Sequence, residues 1–374
     1  MRELFRYPRI PAVEMERVAI DATNSERFLL RKYDLLFARR SLTAEGAGKC
    51  SVVIEVDEPS TWESSIIRAR IDPRKGNAQY YYYYFRSPQG RAAIESIVEQ
   101  VAAAGIRSSD LAKLQVPTPD LRYQAKIVGL LSSLDDKVAV NDHIVRTVRG
   151  MGDALVRATI AEAENVSIQD LIDGGDLSIG DGYRTKRAEL GEPGLPILRV
   201  AEVQDGYISP RHDDFVRAEF RGKIGAKSSS SRDVILTTKG TVGRVAIIPD
   251  DFPEHVYSPQ VCYFRVVESG RLSASYLFYW FRSESFRQQA LPLQRKTDMA
   301  DYLNLADIKS LRIPVPDPRS AEGLLEKLEA LEAGVDRRLR EVETLVKLRD
   351  ALLPKLMSGQ VRIRDAEKVV EDAV

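Results

Sequence analysis

Apolar residues recur at alternating steps of four and three through two stretches of this chain. The first seam is Ile127, Leu131, Leu134, Val138, Asn141, Val145, Val148, Gly152 and Leu155. The second is Leu324, Leu328, Leu331, Val335, Arg338, Val342, Leu345, Arg349 and Leu352, each 197 positions after its counterpart. A sustained four-three repeat under-winds two helices into a supercoil that keeps the seam buried, so the two stretches are predicted to pair. The breaks coincide too, Asn141 with Arg338 and Gly152 with Arg349. A polar group in a seam costs stability and fixes register, and two unrelated amphipathic helices would not share breaks at a shared offset.

The repeat extends upstream of both helices. DLAKLQVPTP at 110–119 matches DIKSLRIPVP at 307–316, and the prolines, which cannot continue a strand or helix, mark a border before each heptad stretch. The predicted division is a first domain over 1–119, a central helix over 120–163, a second domain over 164–318, a second helix over 319–359 and an acidic tail over 360–374.

Within the domains, short β-branched runs bounded by glycine turns read as strands: 51–56 after Gly46 and Gly48, 64–72, and the pair flanking GTVGR at 240–244. Asp34-Leu35-Leu36 matches Asp233-Val234-Ile235. Aromatic helices follow, with Phe85-Arg86-Ser87 matching Phe281-Arg282-Ser283. Tyrosines 80–84 could stack on bases, but consecutive tyrosines point all round a helix and the second copy keeps an aromatic helix without them, so both are predicted as core helices.

The fold class is therefore mixed α/β: two domains in tandem pseudo-twofold repeat, joined by two long helices in an antiparallel coiled coil. The 28 residue steps from Ile127 to Leu155 span about 42 Å as a helix, comparable to the roughly 34–36 Å of one duplex turn. Subtracting the offset from Val166 places the start of the first copy before Met1, so that copy is expected to lack the YRTKRAE loop at 183–189.

Composition narrows the chemistry. Lys plus Arg equal Asp plus Glu at 55 each, so any nucleic-acid binding must come from local patches. Two cysteines, Cys50 and Cys262, fit a reducing cytosol, and three scattered histidines give no metal-ligand cluster. No signal peptide or membrane-spanning run is apparent, which suggests a cytoplasmic protein.

LRDALLPKLMSGQVRI at 348–363, the paired proline borders, LSSLDDKVAVNDHI at 131–144 and DVILTTKGTVGRVAII at 233–248 resemble the DNA-specificity subunit of type I restriction-modification systems. The resemblance covers all but the acidic tail. It implies two target-recognition domains, each reading half of a split sequence in double-stranded DNA, on an antiparallel coiled coil. It also implies no catalysis in this chain, which would direct two methyltransferase subunits and an ATP-driven endonuclease-translocase, so S-adenosylmethionine, ATP and Mg²⁺ belong to the partners. The charged faces of the long helices are the expected methyltransferase docking surface.

The residues agree with that implication. Asp120 with Asp135, Asp136 and Lys137 mimics a metal-dependent nuclease, but the last three lie inside the heptad helix, where two carboxylates cannot converge on one cation. Neither a Walker-type phosphate loop nor an N/D-P-P-Y tetrapeptide for a flipped base is present. Guanidinium groups reach guanine edges and lysines or hydroxyls hold phosphates, so DNA contacts are expected from basic and polar loops. In the first domain these are Arg39, Arg40, Lys49, Arg107, Ser108 and Ser109. In the second they are Tyr183, Arg184, Thr185, Lys186, Lys239, Arg244, Arg295, Lys296 and Thr297. Zero net charge and an abbreviated first copy also fit a coiled-coil adaptor that does not read DNA, or a subunit reading one half-site.

Overall fold

The computed structural model describes residues 1–19, 25–100, 103–160, 163–211, 213–267, 271–294 and 302–373. It resolves into two compact units, Met1–Val140 with Glu341–Val374, and Asn141–Arg340. The heptad stretches are the helices Leu121–Ile160 and Pro318–Met357.

The first unit is built on a four-stranded sheet in the order Arg9–Ile10, Cys50–Val53, Leu35–Ala38, Ile66–Ala69, with the first pair parallel and the others antiparallel. Leu35–Ala38 and Cys50–Val53 are buried along their whole length, as β-branched and aromatic runs predict. The aromatic helix Ala78–Arg86 covers one face, capped by the Asn77 side chain, and all five tyrosines are buried. Ile127 and Leu131 from the first long helix join Leu352, Leu353 and Leu356 from the second in the same core. Asp135 pairs with Arg349 at 2.7 Å and Lys137 with Glu341 at 2.8 Å, so numbering rises on one helix as it falls on the other and the helices run antiparallel.

The stretch expected as an acidic tail over 360–374 is ordered on the first unit. It forms the helix Ile363–Ala373, with Ala366 buried and Val361, Ile363 and Val370 packed on the first unit's core. The second unit carries a helix at the same stage, Ile168–Asp173, whose Ile168 and Leu171 are buried in its own core.

The second unit repeats the sheet as Val245–Ile247, Val234–Thr237, Val261–Val266 and Leu177–Asp181, all antiparallel. Leu177–Asp181 pairs the edge of Val261–Val266 that is open on Ile66–Ala69 among the described strands. The matched aspartates explain themselves. Asp34 and Asp233 are 1% and 0% exposed, and each is gripped by an arginine through both oxygens, Arg70 at 2.7 and 2.6 Å and Arg265 at 2.8 and 2.7 Å. Each follows a residue in the left-handed region, Tyr33 (φ 70) or Arg232 (φ 65), and caps a backbone amide three residues back, Arg31 at 2.8 Å or Ser230 at 2.9 Å.

One border differs from expectation. Pro314 lies inside the strand Arg312–Val315, paired with Glu164–Ser167. The ribbon has two strands only, so a residue without an N–H is tolerated on its edge.

Gly152 is a seam break with a packing cause, because a Cβ there would overlap the ring of buried Tyr279. Gly152→Leu is expected to destabilise the second unit by about 3 kcal/mol through overpacking. A change under 0.5 kcal/mol by urea titration would refute that account.

Candidate nucleic-acid interface

In the first unit, Arg40–Ser41 pairs with Ala104–Gly105 in the register Arg40 to Gly105, which draws two distant basic loops together. A Cβ at Gly105 would meet the Arg39 carbonyl at 3.0 Å, so glycine allows the close approach. Arg39, Arg40, Arg107 and Ser108 line one cleft of about 550 Å³ together with the acidic Glu99. Arg39 donates to the Ser108 hydroxyl at 3.3 Å, while its Nε is buried without a partner. Arg107 is exposed and held by Glu99 at 2.8 Å. Ser109 is exposed beside them, its hydroxyl 3.4 Å from Asp110.

Lys49 is placed differently. Its amine donates to the Phe5 carbonyl at 3.2 Å and lies over the Phe5 ring, and burial, then the Arg86 charge, lower its pKa. Leu42, which the sequence reading passed over, is 98% exposed in the loop that follows Arg40 and Ser41. The one available signal was an apolar residue in an otherwise polar loop.

In the second unit, Arg184 and Lys239 line a cleft of about 420 Å³ with Asp181, Gln260 and Tyr302. The Tyr183–Lys186 loop is held by Glu189, which accepts from the Tyr183 hydroxyl at 3.1 Å and the Lys186 amide at 2.9 Å. That leaves Arg184 and Lys186 exposed and Thr185 half-buried. Arg244 follows the turn carrying Gly240 (φ 84) and Gly243 (φ 94) and donates to the Val203 carbonyl at 3.2 Å. It lines a separate cavity of about 830 Å³ with Arg282, Arg287, Asp153 and Asp205, apart from Lys239. Arg295, Lys296 and Thr297 lie outside the described residues.

The family model for the type I restriction modification DNA specificity domain matches residues 7–148 and again 162–341. The chain belongs to this specificity-domain family. Similar proteins include the type I restriction enzyme MjaVIII specificity subunit of Methanocaldococcus jannaschii, 22% identical over 67% of this chain and 63% of that protein. This chain thus spans under two thirds of that relative's length. Another is the EcoBI specificity subunit of Escherichia coli, 19% identical over 84% of this chain and 72% of that protein. The crystal structure of the type I restriction-modification S subunit from M. genitalium aligns with a TM-score of 0.56 at 16% identity, covering 88% of this chain and 84% of that one, a likeness of fold.

In this specificity-family chain the nuclease-like run is spoken for by other contacts. Asp135 accepts from Tyr83 and Arg349, Asp136 pairs with Arg9 at 2.6 Å, and Lys137 pairs with Glu341. The first seam is buried or half-buried from Ile127 to Leu155, Asn141 included. The second follows it at Leu324, Leu328, Leu331, Val335, Val342, Leu345, Arg349 and Leu352, but Arg338 is exposed. No described helix is long and apolar enough to cross a membrane.

On the second long helix, burial first and then the Glu332 charge raise Asp336 to about 6, against the opposing charges of Arg232, Arg340 and Arg149. Its folded pKa lies above the unfolded value near 3.9, so the folded state binds the extra proton between the two. This contribution to stability is therefore present below pH 4 and lost as pH rises through 6. Asp336→Asn is expected to flatten that segment of the stability profile and raise stability at pH 7.5, as unfolding titrations across the window would register.

Proposed function

We propose that this chain is the DNA-reading subunit of a type I restriction-modification complex. It carries two recognition domains, within residues 1–119 and 164–318, for the halves of a bipartite duplex target, and no catalytic centre of its own. The supporting observation is the tandem family match, each copy bearing basic side chains at a cleft: exposed Arg40 and Arg107 with half-buried Arg39 in one, exposed Arg184 and Lys239 in the other. It would direct two methyltransferase subunits carrying S-adenosylmethionine, and an endonuclease-translocase subunit using ATP and Mg²⁺. Methyltransferases would dock on the charged faces of the long helices. This activity belongs in the cytoplasm, where buried free Cys50 and Cys262 stay reduced.

The test is selection from a randomised duplex library by the chain co-expressed with its methyltransferase, at two salt concentrations. A split consensus with steep salt dependence supports the reading. A single half-site would leave one reading domain. A stable complex with no enrichment would replace the reading with a protein adaptor.

A further inference from the structure

Each unit buries a tyrosine whose hydroxyl reaches past the apolar core to a carboxylate on a long helix. In the first, Tyr83 donates to Asp135 at 2.7 Å, and the other Asp135 oxygen accepts from Arg349 at 2.7 Å. In the second, Tyr279 donates to Glu332, whose other oxygen lies 3.5 Å from Arg149, and Arg149 also donates to the Gly206 carbonyl at 2.6 Å. Both tyrosines and both carboxylates are buried.

The two arrangements are related by the repeat, with one exchange. Tyr279 lies 196 positions after Tyr83 and Glu332 lies 197 after Asp135. The first carboxylate is on the first long helix with its arginine on the second, whereas Glu332 is on the second with its arginine on the first. Each triad therefore ties three elements, an aromatic helix and both long helices. Burial, then the neighbouring carboxylate, raises both phenol pKa values, so the hydroxyls stay donors.

Apolar packing alone sets the register of an aromatic helix on a coiled coil loosely, because the hydrophobic effect has no direction, although the Tyr279 ring seated over Gly152 limits sliding in the second unit. A buried ion pair adds little net stability over an apolar pair, and register-setting is its best-attested use. Further ties lie close by: Arg9 pairs with Asp136 at 2.6 Å in the first unit, and Arg282 with Asp153 at 3.4 Å in the second.

We propose that the Tyr83–Asp135–Arg349 and Tyr279–Glu332–Arg149 triads are positioning devices that set each reading domain at one register on its helices. They thereby restrict the bound chain to one separation between half-sites. The proposal rests on the reading of a bipartite target. It is tested by selecting duplexes with both halves fixed at the wild-type consensus and the spacer varied. Wild type is expected to enrich one spacer length. The Y83F/Y279F double variant, which keeps both rings, is expected to keep the half-site sequences while its preference for that spacer over neighbours one base pair longer or shorter falls at least about tenfold. D135N/E332Q, which leaves an acceptor for each tyrosine and removes the ion pairs, is expected to give an intermediate width and serves where the first variant fails to fold. A folded Y83F/Y279F chain as sharp in spacer choice as wild type overturns the proposal and leaves the reading intact. A wild-type chain that yields no split consensus removes the reading, and the proposal with it.

Discussion

Replacing Arg39, Arg40 and Arg107 together by alanine is expected to lower affinity for the selected duplex by about 10²- to 10³-fold. The three line one cleft, and two of them are exposed. At the low end of about 1 kcal/mol for each arginine contact the sum is roughly 3 kcal/mol, a little over a hundredfold. If the contacts are to phosphate, the slope of log affinity against log salt falls by about 0.9 for each and the loss is uniform across sequences; if to bases, the loss is confined to the first half-site. Fluorescence anisotropy on selected and scrambled duplexes, at low and moderate salt, separates the two. Binding within threefold of wild type with an unchanged slope would remove the cleft from the interface. Lys49→Ala is the internal contrast, because that amine is occupied by Phe5, and it should leave the slope in place.

Arg265→Met is expected to destabilise the second unit by about 3 kcal/mol, since removing one partner of a buried pair leaves an uncompensated charge. The carboxylate left behind, Asp233, would keep only the Tyr257 hydroxyl at 2.7 Å and the Ser230 amide at 2.9 Å. Removing the charge as well, in Asp233→Asn/Arg265→Met, should recover part of the loss. Urea unfolding followed through Trp280, which is buried in the second unit, reads the effect. A loss under 1 kcal/mol would mean that solvent reaches the carboxylate. Arg70→Met should act alike on Asp34 in the first unit, because the grip is the same.

What could be read from the chain was whatever a local period or a repeated spacing encodes. The coiled coil announced itself because burial along a helix recurs every three or four residues, and a second copy at a fixed offset excluded accident. The matched aspartates and the aromatic helices were legible for the same reason, although the arginines that grip Asp34 and Asp233 were not. The exposed residues of the interface obey no period, so the sequence could nominate loops and could not sort them. Arg39 and Arg107 line one cleft because a small sheet pairs strands more than sixty residues apart, while Lys49 turns away onto a phenylalanine.

By itself, then, the sequence determined the repeat, the helix pair and the central strands. Only the tertiary structure decided that the helix Ile363–Ala373 completes the first unit's core, that Pro314 sits within a ribbon, and that the carboxylate and its arginine exchange helices between the units. Those contacts join residues far apart in the chain, and distant closure leaves no trace in local periodicity. It is set by which buried surfaces and charges complement one another once the chain has collapsed.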